Sequence, residues 1–271
     1  MFIEVLKGTT NTVEHNKETG KVKKTFYEGN GIGRPLFNRV IAEAQSMKMI
    51  QLTPELFDFT DRTITMSYLE GEKQIDNFVD QYPECLQQSV YTEAGKALRV
   101  FHNSIRRKLP ESYHDSHAWK TYQFLGKNSE ALTRHGINPI TFLSFLEDSY
   151  CEEEVEKSGL TWTHGDYWLN NLIGKQNGTK FDPTGVIDWE LAGMGSPYED
   201  FAVVRVSIED THPNSSESFW KGYADKPSKR LIQHFAFVKV LDWMIHDDPA
   251  LNGDYSSDFY QNIFAKIKEI L

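Results

Sequence analysis

The sequence predicts an α+β fold in two lobes, a small β-rich lobe at residues 1–68 and a larger, mostly helical lobe at 69–271. Short apolar and β-branched segments separated by turn residues fill most of the first seventy positions. Beyond Gly71, apolar residues recur at helical spacing over long stretches. The 271 residues suffice for one large domain or two closely apposed lobes.

Five strands and one helix are predicted in the small lobe. Turn-forming residues at 8–11 and 18–20 separate the first three strands. Apolar side chains at intervals of three and four residues predict a helix over 36–49. The predicted strands are 2–6, 12–14, 22–27, 56–59 and 63–69.

The large lobe is predicted to hold six helices. Between the third and the fourth lies a strand-and-loop segment at 160–195, rich in glycine, aspartate and asparagine. The predicted helices are 86–104, 116–135, 139–157, 215–223, 228–246 and 257–270.

Composition limits the kind of partner and the compartment. The net charge of −10 argues against a general nucleic-acid binder and favours a cationic partner. Two cysteines, Cys85 and Cys151, are too few for a disulfide framework and indicate a reducing compartment. The N-terminus does not resemble a secretory signal, and the apolar segment 235–245 is too short and too charged to span a membrane. We therefore expect a cytoplasmic protein without a membrane segment.

The residues that indicate chemistry lie in THGDYWLNNLI at 163–173 and GVIDWE at 185–190. Phosphoryl transfer needs a carboxylate beside the attacking hydroxyl, and further oxygen ligands that hold magnesium against the phosphates. Asp166 fits the first role, and Asn171 and Asp188 fit the second. Oxygen ligands without a cluster of cysteine or histidine favour magnesium over zinc.

These segments resemble the signature of the aminoglycoside phosphotransferase and choline kinase superfamily, which shares the protein-kinase fold. His-Gly-Asp, four residues, Asn, and then an apolar pair followed by Asp, an aromatic residue and Glu make up the match. It continues through Gly193, Gly195, Pro197 and the segment 200–202. The resemblance implies an ATP- and Mg²⁺-dependent kinase, with nucleotide bound by the N-terminal lobe and the acceptor by the C-terminal lobe.

The resemblance also implies which residues hold the nucleotide. Lys24 is expected to grip the phosphates and Glu43 to pair with it, although strand alternation alone leaves Lys23 as the alternative. Ser67, Tyr68 and Leu69 correspond to the segment whose backbone reads the adenine edge. Thr9 and Thr10 lie where the family has a phosphate-covering loop, which here contains a single glycine.

Several neighbouring residues are expected to be structural. His164 is predicted to be a buried scaffold rather than a base, because Asp166 already fills that role. Asp200 is expected to stabilise a loop or a helix start, and Glu190 is not expected to contact metal directly. Three tryptophans are predicted to pack in the core or at the hinge rather than to contact substrate: Trp162, Trp168 and Trp189.

The resemblance makes an aminoglycoside or related amino-sugar antibiotic the leading acceptor, a polyhydroxylated cation. Glu209 and Asp210 are the candidate acceptor contacts, whereas the acidic run at 147–156 is predicted to be a solvated helix face. Choline, ethanolamine, a sugar or a protein side chain remain alternatives. A nucleotide-binding pseudokinase is the non-enzyme alternative. A metallophosphoesterase is disfavoured, because this sequence lacks the additional His and Asp clusters that a two-metal site requires.

Overall fold

The computed structural model describes residues 3–7, 11–28, 34–71, 75, 79–209, 215–225, 227–247 and 258–271. The chain divides into two compact units, each built from two segments. The first unit comprises Met1–Arg107 and Leu160–Lys226, and the second comprises Lys108–Gly159 and Pro227–Leu271. The predicted lobe boundary at residues 68 and 69 is a different division of the chain and remains a prediction.

The N-terminal part of the first unit contains five strands and one helix: β1 (Ile3–Lys7), β2 (Asn11–Asn16), β3 (Lys21–Phe26), α1 (Leu36–Met49), β4 (Leu56–Phe59) and β5 (Thr63–Ser67). The strands form one antiparallel sheet in the order β1-β2-β3-β5-β4. Helix α1 packs on β4 and β5. Seven buried residues form the core between them: Val22, Phe26, Val40, Ala44, Met47, Ile64 and Met66.

The rest of the first unit consists of three helices and five short strands: α2 (Glu84–Ser104), β6 (Arg106–Arg107), β7 (Leu160–Thr163), β8 (Leu172–Asn177), β9 (Lys180–Val186), β10 (Gly193–Gly195), α6 (Pro197–Val204) and α7 (Ser216–Tyr223). Strands β8 and β9 form an antiparallel hairpin, and β10, β7 and β6 form a second small sheet in that order. The hairpin, β7 and β10 frame the predicted chemical segments.

Helices α2 and α7 meet backbone to backbone at two glycines. A Cβ atom on Gly95 would overlap the carbonyl oxygen of Phe219, and one on Gly222 would overlap that of Thr92. Only glycine permits so close an approach without displacing one of the helices. The crossing fixes α7 against the helix that carries His102.

The second unit consists of five helices: α3 (Tyr113–Arg134), α4 (Pro139–Ser149), α5 (Glu152–Ser158), α8 (Lys229–Asp247) and α9 (Asp258–Ile270). The amide of Asn128 on α3 donates to the carbonyl oxygen of Leu241 on α8 at 2.9 Å, which joins the two long helices. No helix among the described residues is long and apolar enough to cross a membrane.

The single helix predicted at 139–157 is wrong, because the chain breaks into α4 and α5 at Tyr150 and Cys151. Both residues are extended, with Tyr150 at φ −79° and ψ 131°. The Tyr150 ring stacks on His117 with centroids 4.9 Å apart, and its hydroxyl lies 2.8 Å from His114 Nδ1. These tertiary contacts override local helix propensity.

Helix α6 is absent from the predicted elements, although the sequence contains its start signal. Ser196 accepts from the backbone N–H of Tyr198, and the Glu199 side chain accepts from the backbone N–H of Ser196. Pro197 occupies the first helical position. Ser-Pro-Tyr-Glu is therefore a capping box that predicts a helix here. The antiparallel five-stranded sheet in the N-terminal part and the mostly helical remainder confirm the predicted α+β class.

Candidate active site

Asp166 lies in the loop between β7 and β8. The backbone carbonyl of Asp166 accepts from the Asn171 side-chain amide at 2.8 Å and from the Trp168 backbone at 3.0 Å. Gly165 precedes it at φ +81°, and a Cβ there would lie 2.6 Å from the carbonyl oxygen of Leu191. The loop therefore needs glycine at this position for both conformation and space.

Asp200 on α6 anchors this loop from below. Its carboxylate accepts from the backbone N–H groups of His164 at 2.9 Å and Gly165 at 2.8 Å. His102 Nε2 donates to the same carboxylate at 3.0 Å, and Tyr223 lies 2.9 Å from the other ring nitrogen of His102. Burial alone would raise the pKa of Asp200, but the His102 hydrogen bond and the surrounding donors hold it below its usual value.

His164 is fully buried and uses both ring nitrogens. Nε2 donates to the carbonyl oxygen of Ile187 at 2.9 Å, and Nδ1 accepts from the backbone N–H of Asp166 at 3.3 Å. The ring thus ties the Asp166 loop to the residue before Asp188. This arrangement is that of a scaffold, since neither nitrogen is left to take a proton.

Asn171 and Asp188 stand at the two ends of the β8–β9 hairpin. The backbone N–H of Ile187 donates to the Asn171 carbonyl at 2.9 Å, which holds the two ends together. Asp188 adopts the left-handed conformation at φ +66° and ψ +50°, which aspartate tolerates better than most residues. Since Asn171 Nδ2 is engaged by Asp166, its amide oxygen is the atom left for a cation.

Lys24 links β3, α1 and the hairpin. Its Nζ lies 2.7 Å from Glu43 Oε2 and 2.5 Å from Asp188 Oδ1. The side chains of Lys24 and Glu43 are buried, whereas 36% of the Asp188 side chain is exposed. The side chain of Lys23 lies on the opposite face of the sheet and is exposed.

The pKa values of these three groups follow from burial and from the sharing of one cation. Burial alone would lower the pKa of Lys24, but the carboxylates of Asp188 and Glu43 outweigh it and raise that pKa. Burial would raise the pKa of Asp188, but the ion pair with Lys24 lowers it. Glu43 is more deeply buried than Asp188 and shares Lys24 with it, so the pKa of Glu43 rises to about 7.

Arg39 and Glu190 complete a buried network that the sequence analysis missed. The guanidinium donates from Nη2 and Nε to Glu190 Oε2 at 2.6 and 3.1 Å, and further to Asn11 Oδ1 and to the carbonyl oxygen of Tyr27, both at 3.0 Å. Arg39 precedes Glu43 by one turn of α1, and that spacing could have indicated a shared face. We call these five side chains the charged cluster: Lys24, Arg39, Glu43, Asp188 and Glu190.

The donor atoms fit a hard divalent cation near Asp188. Oxygen atoms of Glu43, Asp188 and Glu190 lie within 4.8 Å of one another, the one such group among the described residues. Glu43 and Glu190 are paired with Lys24 and Arg39, whereas Asp188 is partly exposed. Asp188 and the amide oxygen of Asn171 are therefore the oxygens best available to magnesium.

The segment Ser67–Leu69 is tied to its neighbours. The backbone N–H of Tyr68 donates to Gly20 at 2.9 Å, and its ring stacks on His15 with centroids 4.0 Å apart. The Ser67 hydroxyl accepts from the backbone N–H of Glu55, and Leu69 packs against Gly185. The Tyr68 N–H is thus hydrogen-bonded within the protein and is not available to an adenine base.

Four predicted residues cannot be placed. Thr9, Thr10 and Asp210 lie outside the described residues. The backbone of Glu209 belongs to the π-helical turn Arg205–Glu209 after α6, but its side chain is outside the described part. Their roles remain predictions.

The three tryptophans differ from one another. Trp189 is fully buried and donates to the Val186 carbonyl at 2.9 Å, and Trp162 is buried and donates to Ser46 Oγ at 2.9 Å. Trp168 is only partly buried, and its indole N–H donates to Asp166 Oδ1 at 2.6 Å. Trp168 thus contacts the candidate base rather than the core.

The site contains a loop aspartate, a buried lysine–glutamate pair, and carboxylate and amide oxygens at the two ends of a hairpin. These are the groups that a phosphotransferase requires. The family model described as the phosphotransferase enzyme family, APH, matches residues 50–232. The chain belongs to this family. No curated protein matches the sequence.

Solved structures of similar fold cover nearly the whole chain. The GDP complex of aminoglycoside 2'-phosphotransferase-IIIa has a TM-score of 0.73 at 12% identity, covering 100% of this chain and 94% of that one. A choline/ethanolamine kinase family protein from Mesorhizobium loti has a TM-score of 0.65 at 17% identity, covering 100% and 88%. The streptomycin–ATP ternary complex of APH(2")-IIa has a TM-score of 0.65 at 15% identity, covering 97% and 93%. These similarities establish the fold.

Proposed function

We propose that the protein is an ATP- and Mg²⁺-dependent kinase that phosphorylates a hydroxyl group of a small cationic molecule. One observation chiefly supports this: hydrogen bonds, together with the peptide bond between Ile187 and Asp188, link Asp166, Asn171, Asp188 and Lys24. Asn171 is bonded to Asp166 and to Ile187, and Asp188 is bonded to Lys24. Catalysis of phosphoryl transfer depends mainly on such positioning and on charge stabilisation.

In this mechanism, Asp166 orients the acceptor hydroxyl and takes its proton. Lys24, held by Glu43, offsets negative charge on the α- and β-phosphates, and Asn171 and Asp188 hold the metal. When bound, magnesium supplies positive charge that offsets the charge of the phosphate oxygens. Backbone atoms of 67–69 and the threonines at 9 and 10 remain proposed nucleotide contacts.

An aminoglycoside or related amino sugar is the proposed acceptor. The support is the net charge of −10 and the similarity to a phosphotransferase whose structure contains streptomycin. The similarity to a choline/ethanolamine kinase family protein favours a second candidate, a small amino alcohol. Both are cations, so their attraction to an acidic protein is screened over about 8 Å at physiological salt. The cytoplasm as the compartment also remains a prediction.

The test is an acceptor screen with the purified protein, ATP and Mg²⁺. Aminoglycosides, choline, ethanolamine and neutral sugars are compared by ADP formation, and products by mass spectrometry. We expect turnover with a cationic acceptor whose KM rises with ionic strength. Asp166→Asn should lower kcat by about 10²–10⁴-fold and leave ATP affinity nearly unchanged. ATP binding without turnover on any acceptor would instead indicate a nucleotide-binding module.

The proposed acceptor contacts have a matched control. Neutralising Glu209 and Asp210 should raise the acceptor KM, whereas neutralising Glu152 and Glu153, which are exposed on α5, should not. Equal effects of the two double variants would argue for a general charge effect and against a local contact.

A further inference from the structure

Trp168 is held against Asp166 by local backbone geometry. Its backbone N–H donates to the Asp166 carbonyl at 3.0 Å, and its own carbonyl accepts from the Asn171 N–H at 3.0 Å. With the backbone constrained on both sides, the indole N–H reaches Asp166 Oδ1 at 2.6 Å. This distance is shorter than that of most N–H···O hydrogen bonds, and it places the indole directly against the carboxylate.

We propose that Trp168 is a positioning residue for phosphoryl transfer: it holds the Asp166 carboxylate in one orientation. This inference rests on the proposed function, in which Asp166 is the base. The neighbouring tryptophans provide the contrast, because the Trp162 and Trp189 indoles donate to a serine hydroxyl and to a backbone carbonyl. Of these three indoles, only that of Trp168 is bonded to a carboxylate.

The chemistry of the indole suits this task. Its N–H is a donor only, so it stabilises a carboxylate and cannot itself remove a proton from the acceptor. An ionised carboxylate has about four lone-pair sites, and the indole N–H occupies one of them.

In the reaction, the acceptor oxygen forms a bond to the γ-phosphorus, and the bond from that phosphorus to the bridging oxygen breaks with its electrons leaving on ADP. The hydroxyl proton passes to Asp166, and Trp168 keeps its N–H throughout. Trp168 therefore acts only through the orientation of Asp166.

Two substitutions separate the hydrogen bond from the ring. Trp168→Phe keeps an aromatic ring without a donor, whereas Trp168→His places Nε2 at the five-membered-ring position of the indole nitrogen. At about pH 8, where an ordinary histidine is neutral, we expect Trp168→Phe to lower kcat by roughly 10- to 100-fold. ATP affinity should be unchanged. Trp168→His should recover most of the loss.

Trp162→Phe is the control, since it removes an indole hydrogen bond that does not involve Asp166. It should leave kcat and ATP affinity close to the wild-type values. If Trp168→Phe keeps wild-type kcat while Asp166→Asn loses activity, this inference fails alone. If Asp166→Asn also keeps full activity, Asp166 is not the catalytic base and the proposed function fails.

A spectroscopic readout tests the bond without turnover. The chain has six tryptophans, and Trp168→Phe identifies the Trp168 indole signal in a ¹H–¹⁵N spectrum. We expect that signal to lie downfield and to move upfield in Asp166→Asn. A Trp168 signal that does not respond to Asp166→Asn would overturn the inference, whichever acceptor the enzyme uses.

Discussion

The two units bury polar side chains in opposite ways. In the first unit, the charged cluster combines two cations with three carboxylates, and each cation contacts at least one carboxylate within 2.7 Å. The second unit contains the histidine cluster of His114, His117, Tyr150 and His234, in which His117 and His234 are neutral at pH 7. Burial lowers the pKa of His117 to about 3 and that of His234 to about 4. Charge is thus buried where opposite charge accompanies it, and is removed elsewhere.

The hydrogen bonds of the histidine cluster assign its protons. The Leu146 carbonyl can only accept, so His234 Nδ1 must donate to it at 2.8 Å. Neutral His234 then has a lone pair on Nε2, and His117 Nε2 must donate to it across 2.8 Å. His117 and His234 are therefore hydrogen-bonded to each other as neutral groups. The buried charges of Arg39 and Lys24, in contrast, are stabilised by carboxylates.

The largest effect is expected where one charge of the cluster loses its partner. Arg39→Met leaves Glu190 buried and unpaired, and we expect it to lower the free energy of unfolding by about 3–5 kcal/mol. The double variant Arg39→Met/Glu190→Leu should be more stable than the single variant, because two apolar groups replace two buried charges. Urea unfolding measures both, and a double variant less stable than the single one would contradict this account.

Lys24 offers the next test, with its neighbour as a matched control. Lys24→Ala should raise the KM for ATP and cut kcat by roughly 10²–10³-fold, the usual cost of removing one preorganised donor. Lys23→Ala should be close to neutral, since Lys23 is exposed on the other face of the strand. Steady-state kinetics on an established acceptor decide, and a sensitive Lys23 would argue against the proposed phosphate contact of Lys24.

The histidine pair should make stability depend on pH. Both folded-state pKa values lie below the unfolded value of about 6.5, so the unfolded chain binds more protons between about pH 4 and 6.5. Stability is therefore complete above pH 6.5 and falls as the pH decreases, by about 1.4 kcal/mol per pH unit for each proton taken up on unfolding. Urea midpoints measured across this range give the slope.

His117→Phe should flatten this dependence, because it removes one titrating group while keeping a ring beside Tyr150 and Phe235. The titratable groups that act on His117 are His114, Lys120 and His234, and this substitution leaves all three in the chain. His135→Gln is the control, about 27 Å further along α3. An unchanged slope in His117→Phe would exclude the pair as its source.

The smallest effect is expected at an exposed ion pair of equal length. Lys175 and Glu70 approach to 2.6 Å, the same distance as Arg39 and Glu190, but their side chains are 52% and 73% exposed. Water and salt screen such a pair. Lys175→Gln should leave the urea midpoint unchanged within error, and a clear shift would show that distance rather than burial governs these pairs.

The sequence predicted local features better than distant ones. Helix α1 and strand β4 have the predicted bounds, because apolar periodicity and turn residues are local signals. The break at Tyr150 depends on rings from α3, and no local pattern contains that contact. Helix α6 was missed although its capping box is local, so that omission was avoidable.

The candidate site shows the same division. Asp166, Asn171 and Asp188 follow from a motif within 25 residues, and the structure brings them into one network. Arg39 and Glu190 are 151 positions apart, and neither residue type is unusual in its own segment. The Trp168 contact spans only two positions, but it depends on the direction of a side chain, which the sequence pattern does not specify.

The β8–β9 hairpin has a consequence for how such enzymes diverge. Asn171 and Asp188 are neighbours because they close the base of the hairpin, so residues at its tip do not affect their separation. Asn177 and Gly178 are exposed at that tip, and nothing crowds Gly178. Lengthening or trimming both strands there would change the spacing of the motif and leave its geometry intact. Distant relatives should therefore share the two base residues while differing in the number of residues between them.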